Sequence, residues 1–158
     1  MTAASEPRAV TTATSSSEHA QLSLQLEQAC DFGGAARHAI AAGDARRAAP
    51  LAALAGDDAL CEQAMAALVT AGSREQALAT AVDLSARGFS RQAGSLFERA
   101  GAHLDAAAAF AAGGDAVRAA ACFERAGRPV DGARALEAAI RRTPERSDHR
   151  LALGRLLA

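Results

Sequence analysis

The chain has 158 residues, 50% of them hydrophobic, and a formal net charge of −1. This length predicts one domain with a buried core, and the near-neutral charge argues against nucleic acid as the main partner. The sequence holds no uncharged apolar stretch of the roughly 18 residues that a membrane span needs, so no membrane insertion is expected. Alanine supplies 46 residues whereas Trp and Tyr are absent, which favours helices because alanine is the best helix former.

The residue types also predict a source and a compartment. All 17 basic residues are Arg, Lys and Asn are absent and Ile occurs twice, a profile of GC-rich coding sequences that predicts a bacterial protein. Cys30, Cys61 and Cys122 are far apart and form no CxxC pair, so we expect small buried apolar residues in a reducing compartment. The N-terminus lacks the basic start and apolar core of a secretory signal. These features predict a cytoplasmic protein.

The sequence divides near residue 20. Residues 1–19 are rich in Ser, Thr and Ala, and we predict a disordered tail there. Residues 20–158 form the predicted helical-repeat domain. Glycines recur in this domain at spacings of 13 or 16 residues, separated by helix formers with apolar or small residues at three- and four-residue intervals. These glycines are Gly43, Gly56, Gly72, Gly88, Gly101, Gly114 and Gly127.

Each of these glycines predicts the end of a short helix, because Gly supplies the left-handed cap. An Asp follows the glycine at Asp44, Asp57 and Asp115, where it can cap the next helix. Pro50 predicts a kink in its helix or a helix start close to it. The pattern predicts ten helices, at 21–31, 34–42, 46–55, 58–71, 74–87, 90–100, 103–112, 116–126, 130–142 and 146–157.

A direct repeat indicates that two helices make one unit. The segment 97–101, Phe-Glu-Arg-Ala-Gly, recurs at 123–127 with an offset of 26 residues. Self-similarity at a fixed period is typical of solenoids, in which each unit contacts mainly its neighbours. The predicted fold is therefore all-α, an α-solenoid of about five antiparallel helical hairpins.

The clearest unit spans residues 100–127. Its first helix carries a pair of small residues, Ala106 and Ala107, followed by the aromatic Phe110. A turn of Gly114 and Asp115 follows, and the second helix carries Ala119, Phe123 and Ala126. In these positions the unit resembles the tetratricopeptide repeat (TPR). Its period of 26 to 32 residues is shorter than the family's 34, and the large aromatic that begins the family's first helix is missing, so the repeats look shortened and divergent. The resemblance implies a right-handed α-solenoid that binds other proteins.

Motifs for catalysis and cofactor binding are missing from the sequence. The four histidines, His19, His38, His103 and His149, are scattered, with no i, i+4 pair and none beside a Cys, so no metal site is expected. The phosphate-binding patterns GxxxxGK[ST] and GxGxxG are absent, as are GxSxG and HExxH. We therefore predict no catalytic residues, no cofactor and no enzymatic activity.

The resemblance implies a binding groove, because tetratricopeptide proteins hold ligand peptides in a groove formed by the first helices of their units. Carried over by position, the groove residues here are mostly apolar or small, which suits an amphipathic helix. The family's chaperone-tail binders clamp a terminal carboxylate with Lys and Asn, which this chain lacks. We predict a non-catalytic protein–protein interaction scaffold or adaptor that binds a partner peptide or helix in an apolar groove. The predicted groove residues are Glu75, Leu78, Val82, Ser85, Leu104, Ala108, Arg134 and Glu137.

Two alternative functions remain open at the level of sequence. The last predicted helix has an apolar stripe with no following unit to cover it, so the chain could self-assemble into a homo-oligomer or be a piece of a larger helical-repeat protein. The segment from Arg125 to Arg155 contains eight Arg and four acidic residues, and this local charge of +4 could bind nucleic acid or an acidic partner weakly. Because the region lacks interleaved aromatics for base stacking, a solvated Arg-rich face is the preferred interpretation.

Overall fold

The computed structural model describes residues 15–158, and this part of the chain is all-helical, with ten helices and no strand. The helices are α1 (Ser16–Gln28), α2 (Phe32–Ala41), α3 (Ala45–Ala55), α4 (Asp58–Ala71), α5 (Arg74–Ala86), α6 (Ser90–Arg99), α7 (His103–Ala112), α8 (Ala116–Arg125), α9 (Pro129–Arg142) and α10 (Ser147–Leu157). The prediction of ten helices is confirmed, with ends that shift by a few residues. None of these helices is long and apolar enough to cross a membrane.

The first helix begins earlier than predicted. Ser15 caps α1, because its hydroxyl accepts from the backbone N–H of Glu18 while the Glu18 carboxylate accepts from the Ser15 N–H. This reciprocal capping box satisfies two donors that the helix itself leaves unpaired. Residues 16–19 therefore belong to α1, and the predicted tail of residues 1–19 is too long by these positions. Residues 1–14 lie outside the described part of the chain.

The turns between helices share one hydrogen-bond pattern. Six glycines have a positive φ, and the residue after each donates its N–H to the carbonyl five positions earlier, as Asp115 does to Phe110 at 2.9 Å. This pattern is the Schellman motif, which satisfies the last carbonyls of a helix. At three of these six turns the same residue also caps the next helix: Asp44, Asp57 and Asp115 accept a backbone N–H with their side chains, as predicted. Each turn thus ends one helix and starts the next within about three residues.

Two turns depart from the predicted glycine pattern. Gly72 has φ −91° and ψ 171°, so it is extended, and the prediction of a left-handed cap there is wrong. An added Cβ at Gly72 would lie 2.4 Å from the Leu68 carbonyl oxygen, so this position needs Gly for space. Between α1 and α2, Cys30 takes the left-handed position with φ 60°. Cys30 is exposed, which also corrects the expectation that all three cysteines are buried.

Replacing Cys30 by Gly should stabilise the protein. A left-handed conformation costs an L-residue about 1–2 kcal/mol, and the extra entropy of Gly in the unfolded chain offsets part of the gain. We expect Cys30→Gly to raise the free energy of unfolding by about 0.5–1 kcal/mol, measured by urea denaturation followed by far-UV circular dichroism. Cys30→Ala removes the thiol but keeps the strained backbone, so an equal gain in that variant would contradict this explanation.

Consecutive helices pack against each other from α1 to α10, with one loose junction. Every consecutive pair is in extensive contact except α4 and α5. The connection between α4 and α5 is also the one in which the glycine after the helix, Gly72, is extended. Contacts between α3 and α5 and between α4 and α6 continue the packing across this junction.

The core is built mainly from alanine. One cluster of buried residues extends from α2 to α8, and a smaller one joins α8, α9 and α10 around Leu136. Phe110 is the largest fully buried side chain. Because small residues allow helices to approach closely, few large side chains suffice to fill the space between them.

Pro50 lies inside a continuous helix. Helix α3 extends from Ala45 to Ala55, so the predicted helix start close to Pro50 is wrong. Pro50 lacks the N–H that would bond to the carbonyl of Arg46, but Arg46 is exposed, so water can reach that end of the helix. The first turn is fixed instead by Asp44, whose carboxylate accepts from the Arg47 N–H at 3.1 Å.

Candidate partner-binding site

An open cleft lies between α5 and α7 with a floor from α6. Its volume is about 450 Å³, and most of its lining is apolar or small. Asp105 is its one charged lining residue. The lining residues are Val82, Ser85, Ala86, Phe97, Asp105, Ala108, Ala109 and Ala112.

Three of the predicted groove residues line this cleft together. Val82 and Ser85 come from α5, and Ala108 comes from α7. Val82 is 59% exposed at the edge of this apolar depression. The helical spacing of Val82 and Ser85 places both on one side of α5, because residues three apart share a helix face.

Three further predicted residues lie near the cleft but outside its lining. Leu104 is on the first turn of α7, 45% exposed, and four positions before Ala108 on the same face. Leu78 is partly buried and packs against the main core, so it has a structural role. Glu75 is exposed in the first turn of α5, where a negative charge stabilises the positive end of the helix dipole.

The structure does not bring the last two predicted residues into this cleft. Arg134 and Glu137 are exposed on α9, away from α5. Arg134 pairs with Asp131 of its own helix, at 3.5 Å between the guanidinium Nη1 and the carboxylate Oδ1. The predicted groove residues therefore do not form one continuous surface around the α5–α7 cleft.

The cleft also contains residues that the sequence prediction missed. Ala86 and Ala112 lie four positions after Val82 and Ala108, so helical spacing could have identified them. Phe97 comes from α6 and is 7% exposed, closing the floor of the cleft. The position of Phe97 depends on how α6 packs beneath α5 and α7. The spacing of residues along one helix does not predict such packing between helices.

A charge cluster joins α6 to α8. Glu98 accepts from Arg118 at 2.8 Å and also from Arg125, and Arg118 donates to the hydroxyl of Ser95. The Arg118 guanidinium carbon lies 4.1 Å from the centroid of the Phe110 ring, a cation–π distance. Burial alone would raise the pKa of Glu98, but the hydrogen bonds from the two arginines outweigh it, and the pKa is lowered.

The lowered pKa of Glu98 predicts a pH-dependent contribution to stability. A carboxyl with a depressed folded-state pKa stabilises the fold fully above its unfolded pKa, about 4.3, and loses that contribution as pH falls through the folded value. We expect Glu98→Gln to lower the free energy of unfolding at pH 7 by up to about 1 kcal/mol, a difference that shrinks below about pH 4.

Urea titrations between pH 7 and pH 3 test this expectation, with Glu124→Gln as the matched control. Glu124 is exposed and forms no ion pair within residues 15–158. An equal loss at pH 7 in both variants would show that the Glu98 cluster adds nothing specific.

Several arginines between Arg125 and Arg155 are held in ion pairs. Arg125 pairs with Glu98, Arg128 and Arg134 share Asp131, and Arg146 pairs with Asp148. Half of the eight arginines in this segment thus have a carboxylate partner. The four without one in the described chain are Arg141, Arg142, Arg150 and Arg155.

The two buried cysteines are in unreactive surroundings. Burial, followed by the charges of Asp58, Asp57 and Glu62, raises the pKa of the Cys61 thiol to about 11. Burial and the charge of Glu98 raise the pKa of Cys122 as well. Both thiols therefore remain protonated at neutral pH and pack as small apolar side chains, as predicted.

The structure brings together two histidines that are far apart in sequence. The Nδ1 atoms of His19 and His38 are 2.8 Å apart, so one ring donates a hydrogen bond to the other between α1 and α2. His19 and His38 are separated by 19 positions in sequence but meet in the fold, and residues 15–158 contain no group of three His, Cys, Asp or Glu that could hold a metal. The pair links the first two helices.

No protein-family model, curated protein or solved structure matches the chain. The geometry of the α5–α7 cleft is therefore the main guide to function.

Proposed function

We propose that this chain is a non-catalytic protein-binding scaffold that holds an amphipathic helix of a partner in the α5–α7 cleft. The observation that carries the proposal is the exposure of Val82 and Leu104 on two helices that flank one apolar depression. A partner that covers these exposed aliphatic side chains would stabilise the complex, because burial contributes about 25 cal/mol for each Å² of apolar surface removed from water.

The shape and charge of the cleft favour a helix as its occupant. The cleft lies along the space between two helices, and a third helix can lay apolar residues at i, i+3, i+4 and i+7 into such a groove. Asp105, the one charged lining residue, would pair with a basic side chain beside the partner's apolar stripe. The expected partner is therefore an apolar-faced helix with a flanking Lys or Arg.

The proposal includes a fold-level component. The recurring Schellman turns and the packing of each helix on the next support a right-handed α-solenoid of the tetratricopeptide-like kind, with shortened repeats. Solenoids expose long surfaces for partners, and the open apolar character of the cleft fits that use. We further propose that the protein acts in the bacterial cytoplasm, on the basis of its composition.

Affinity capture with paired variants tests the proposed function. The tagged chain and a double variant, Val82→Asn with Leu104→Asn, are used to capture proteins from lysate of the source organism, followed by quantitative mass spectrometry. We expect a specific protein to be retained by the unaltered chain and reduced at least about tenfold by the variant, as when a central interface residue is lost. Leu78 is left unchanged because it packs against the core.

A matched variant separates the cleft from exposed apolar surface in general. Leu54 and Val69 are 46% and 42% exposed on α3 and α4, outside the cleft. The double variant Leu54→Asn with Val69→Asn should retain the partner. Loss of the partner in this control, or its retention by the cleft variant, would contradict the assignment.

The second candidate function, self-association, rests on α10. Leu151 and Leu157 are 63% and 70% exposed on this helix. Light scattering over a concentration series, with Leu151→Asn and Leu157→Asn, tests it. A concentration-dependent mass that the substitutions abolish would support a homo-oligomer, and a constant monomer mass would exclude self-assembly under those conditions.

A further inference from the structure

Helix α1 is held against the rest of the fold mainly by polar contacts. Within Ser16–Gln28 only Ser23 is buried, and its hydroxyl donates to the carbonyl of Ala35 at 2.8 Å. The hydroxyl of Ser16 donates to the carbonyl of Ala42, also at 2.8 Å. Because α1 buries little apolar surface, the loss of one polar contact can shift the balance between its docked and undocked states.

The contact between His19 of α1 and His38 of α2 is a direct hydrogen bond between two rings. The two Nδ1 atoms are 2.8 Å apart, and the ring centroids are 5.1 Å apart. These two distances leave both Nδ1 atoms close to the line that joins the ring centres. One Nδ1 therefore carries a proton, and the other presents its lone pair to that proton.

This arrangement accommodates one added proton but not two. With one added proton, a charged ring donates from Nδ1 to the neutral ring, and the hydrogen bond is charge-assisted. With two added protons, both Nδ1 atoms carry hydrogen, because both nitrogens of an imidazolium are donors. No acceptor then remains between the rings, and two positive charges face each other at close range.

No carboxylate offsets the charge of a doubly protonated pair. Within residues 15–158, neither His19 nor His38 forms an ion pair with an acidic side chain. The acidic residues at the starts of α1 and α2, Glu18 and Asp31, accept backbone N–H groups. Glu27, at the other end of α1, pairs with an arginine of α3.

The neighbouring helices α3 and α4 supply no carboxylate to the pair either. Asp44 and Asp57 cap these two helices, and Glu62 of α4 pairs with Arg99. The other charged residues of α2, α3 and α4 are exposed, and they are Arg37, Arg46 and Asp58. Repulsion between the two protonated rings is therefore left without a compensating ion pair.

We propose that the His19–His38 pair is a pH switch that releases α1 from α2 on acidification. The undocked state lets both rings take up a proton, whereas the docked state holds only one. The undocked state thus binds more protons at low pH, so the docked state loses stability as pH falls. Because histidine is the side chain that ordinarily changes charge between about pH 5 and pH 8, we expect release below about pH 6. The switch is separate from the proposed α5–α7 partner site, which neither histidine lines.

Hydrogen exchange of the full chain, followed by mass spectrometry at pH 7.5 and pH 5, tests this proposal. Rates are divided by the intrinsic rate at each pH, and EDTA is present so that no metal ion links the rings. We expect the protection of α1, relative to that of α7, to fall about tenfold or more at pH 5, the factor that corresponds to about 1.4 kcal/mol. Equal protection of α1 at both pH values, or no protection at either, would overturn the proposal.

A pair of variants assigns the pH dependence to this contact. His38→Asn replaces a ring by an amide that accepts a hydrogen bond at every pH and takes up no proton, so α1 should stay protected at pH 5. His103→Asn removes a histidine from α7 and should leave the response of α1 unchanged. The same loss of protection in His38→Asn as in the unaltered chain would overturn the proposal.

The nitrogen-15 spectra of the imidazole rings give a second measurement that needs no variant. At pH 7.5 we expect at least one of the two rings to carry its proton on Nδ1. On acidification, the second proton on the pair should arrive together with the loss of α1 protection. Retention of α1 protection with both rings doubly protonated would overturn the proposal, whether or not His38→Asn folds.

Discussion

Phe110→Ala should lower the free energy of unfolding by about 3–5 kcal/mol, the cost typical of removing a fully buried aromatic ring. Phe110 is the largest fully buried side chain in a core otherwise made mainly of alanine. The alanines that make up most of the core have no flexible side chains that could move into the cavity, so most of it should remain. Small domains have a total stability of about 5–15 kcal/mol, so this loss would be a large fraction of it.

Equilibrium urea denaturation followed by far-UV circular dichroism measures this loss, since the chain has no Trp or Tyr to report by fluorescence. Phe123→Ala is the control, because Phe123 stands on the next helix, α8, and is only partly buried. We expect a smaller loss there. A loss in Phe110→Ala no greater than in Phe123→Ala would mean that Phe110 does not anchor the core.

Gly94→Ala should destabilise the protein although it improves the helix propensity of α6. An added Cβ would lie 2.8 Å from Cδ1 and Cε1 of the Phe110 ring, which is fully buried and has no space to retreat. Overpacking costs about 1–3 kcal/mol, while replacing Gly by Ala within a helix returns about 1 kcal/mol. We expect a net loss of up to about 2 kcal/mol, measured by urea denaturation.

Gly154→Ala is the matched control for this prediction. Gly154 lies inside α10, and an added Cβ there meets nothing within 4 Å. The same substitution should therefore stabilise the protein by about 0.5–1 kcal/mol, the propensity gain alone. The two variants should change stability in opposite directions, and a gain in both would show that α6 and α7 are not in close contact at Gly94.

A double-mutant cycle identifies the contact itself. In a Phe110→Ala background the ring is gone, so Gly94→Ala should become neutral or stabilising. If Gly94→Ala remains equally destabilising without the ring, the contact between Gly94 and Phe110 does not explain its effect. Ser95 or Arg118, which neighbour this contact, would then be the next positions to test.

Helix positions could be predicted from sequence because their causes are local. A glycine at the end of a helix and an Asp after it specify a Schellman turn and an N-cap with no information from the rest of the chain. The left-handed conformation of Cys30 could not be predicted, because a non-glycine residue in such a turn has no sequence signal. The prediction for Gly72 is wrong because a glycine after a helix permits a positive φ but does not require one.

The candidate site could be predicted only in part, for the same physical reason. Helical spacing correctly groups Val82 with Ser85, because it fixes which residues share a face of one helix. It does not fix the offset between helices, and Arg134 and Glu137, which the family resemblance grouped with Val82, do not line the α5–α7 cleft. The contact between His19 and His38, 19 residues apart, likewise depends on how α1 and α2 are positioned against each other.

Site-specific photo-crosslinking is the most direct test of the α5–α7 cleft as a partner-binding site. A benzoylphenylalanine at Ala108, which is exposed within the cleft, is compared in cells with one at Val69, which is exposed outside it. We expect one partner protein to crosslink from Ala108 and not from Val69, through a peptide that is an amphipathic helix. Crosslinks to that partner only from Val69, or only to further copies of the chain from both positions, would contradict the proposed binding site.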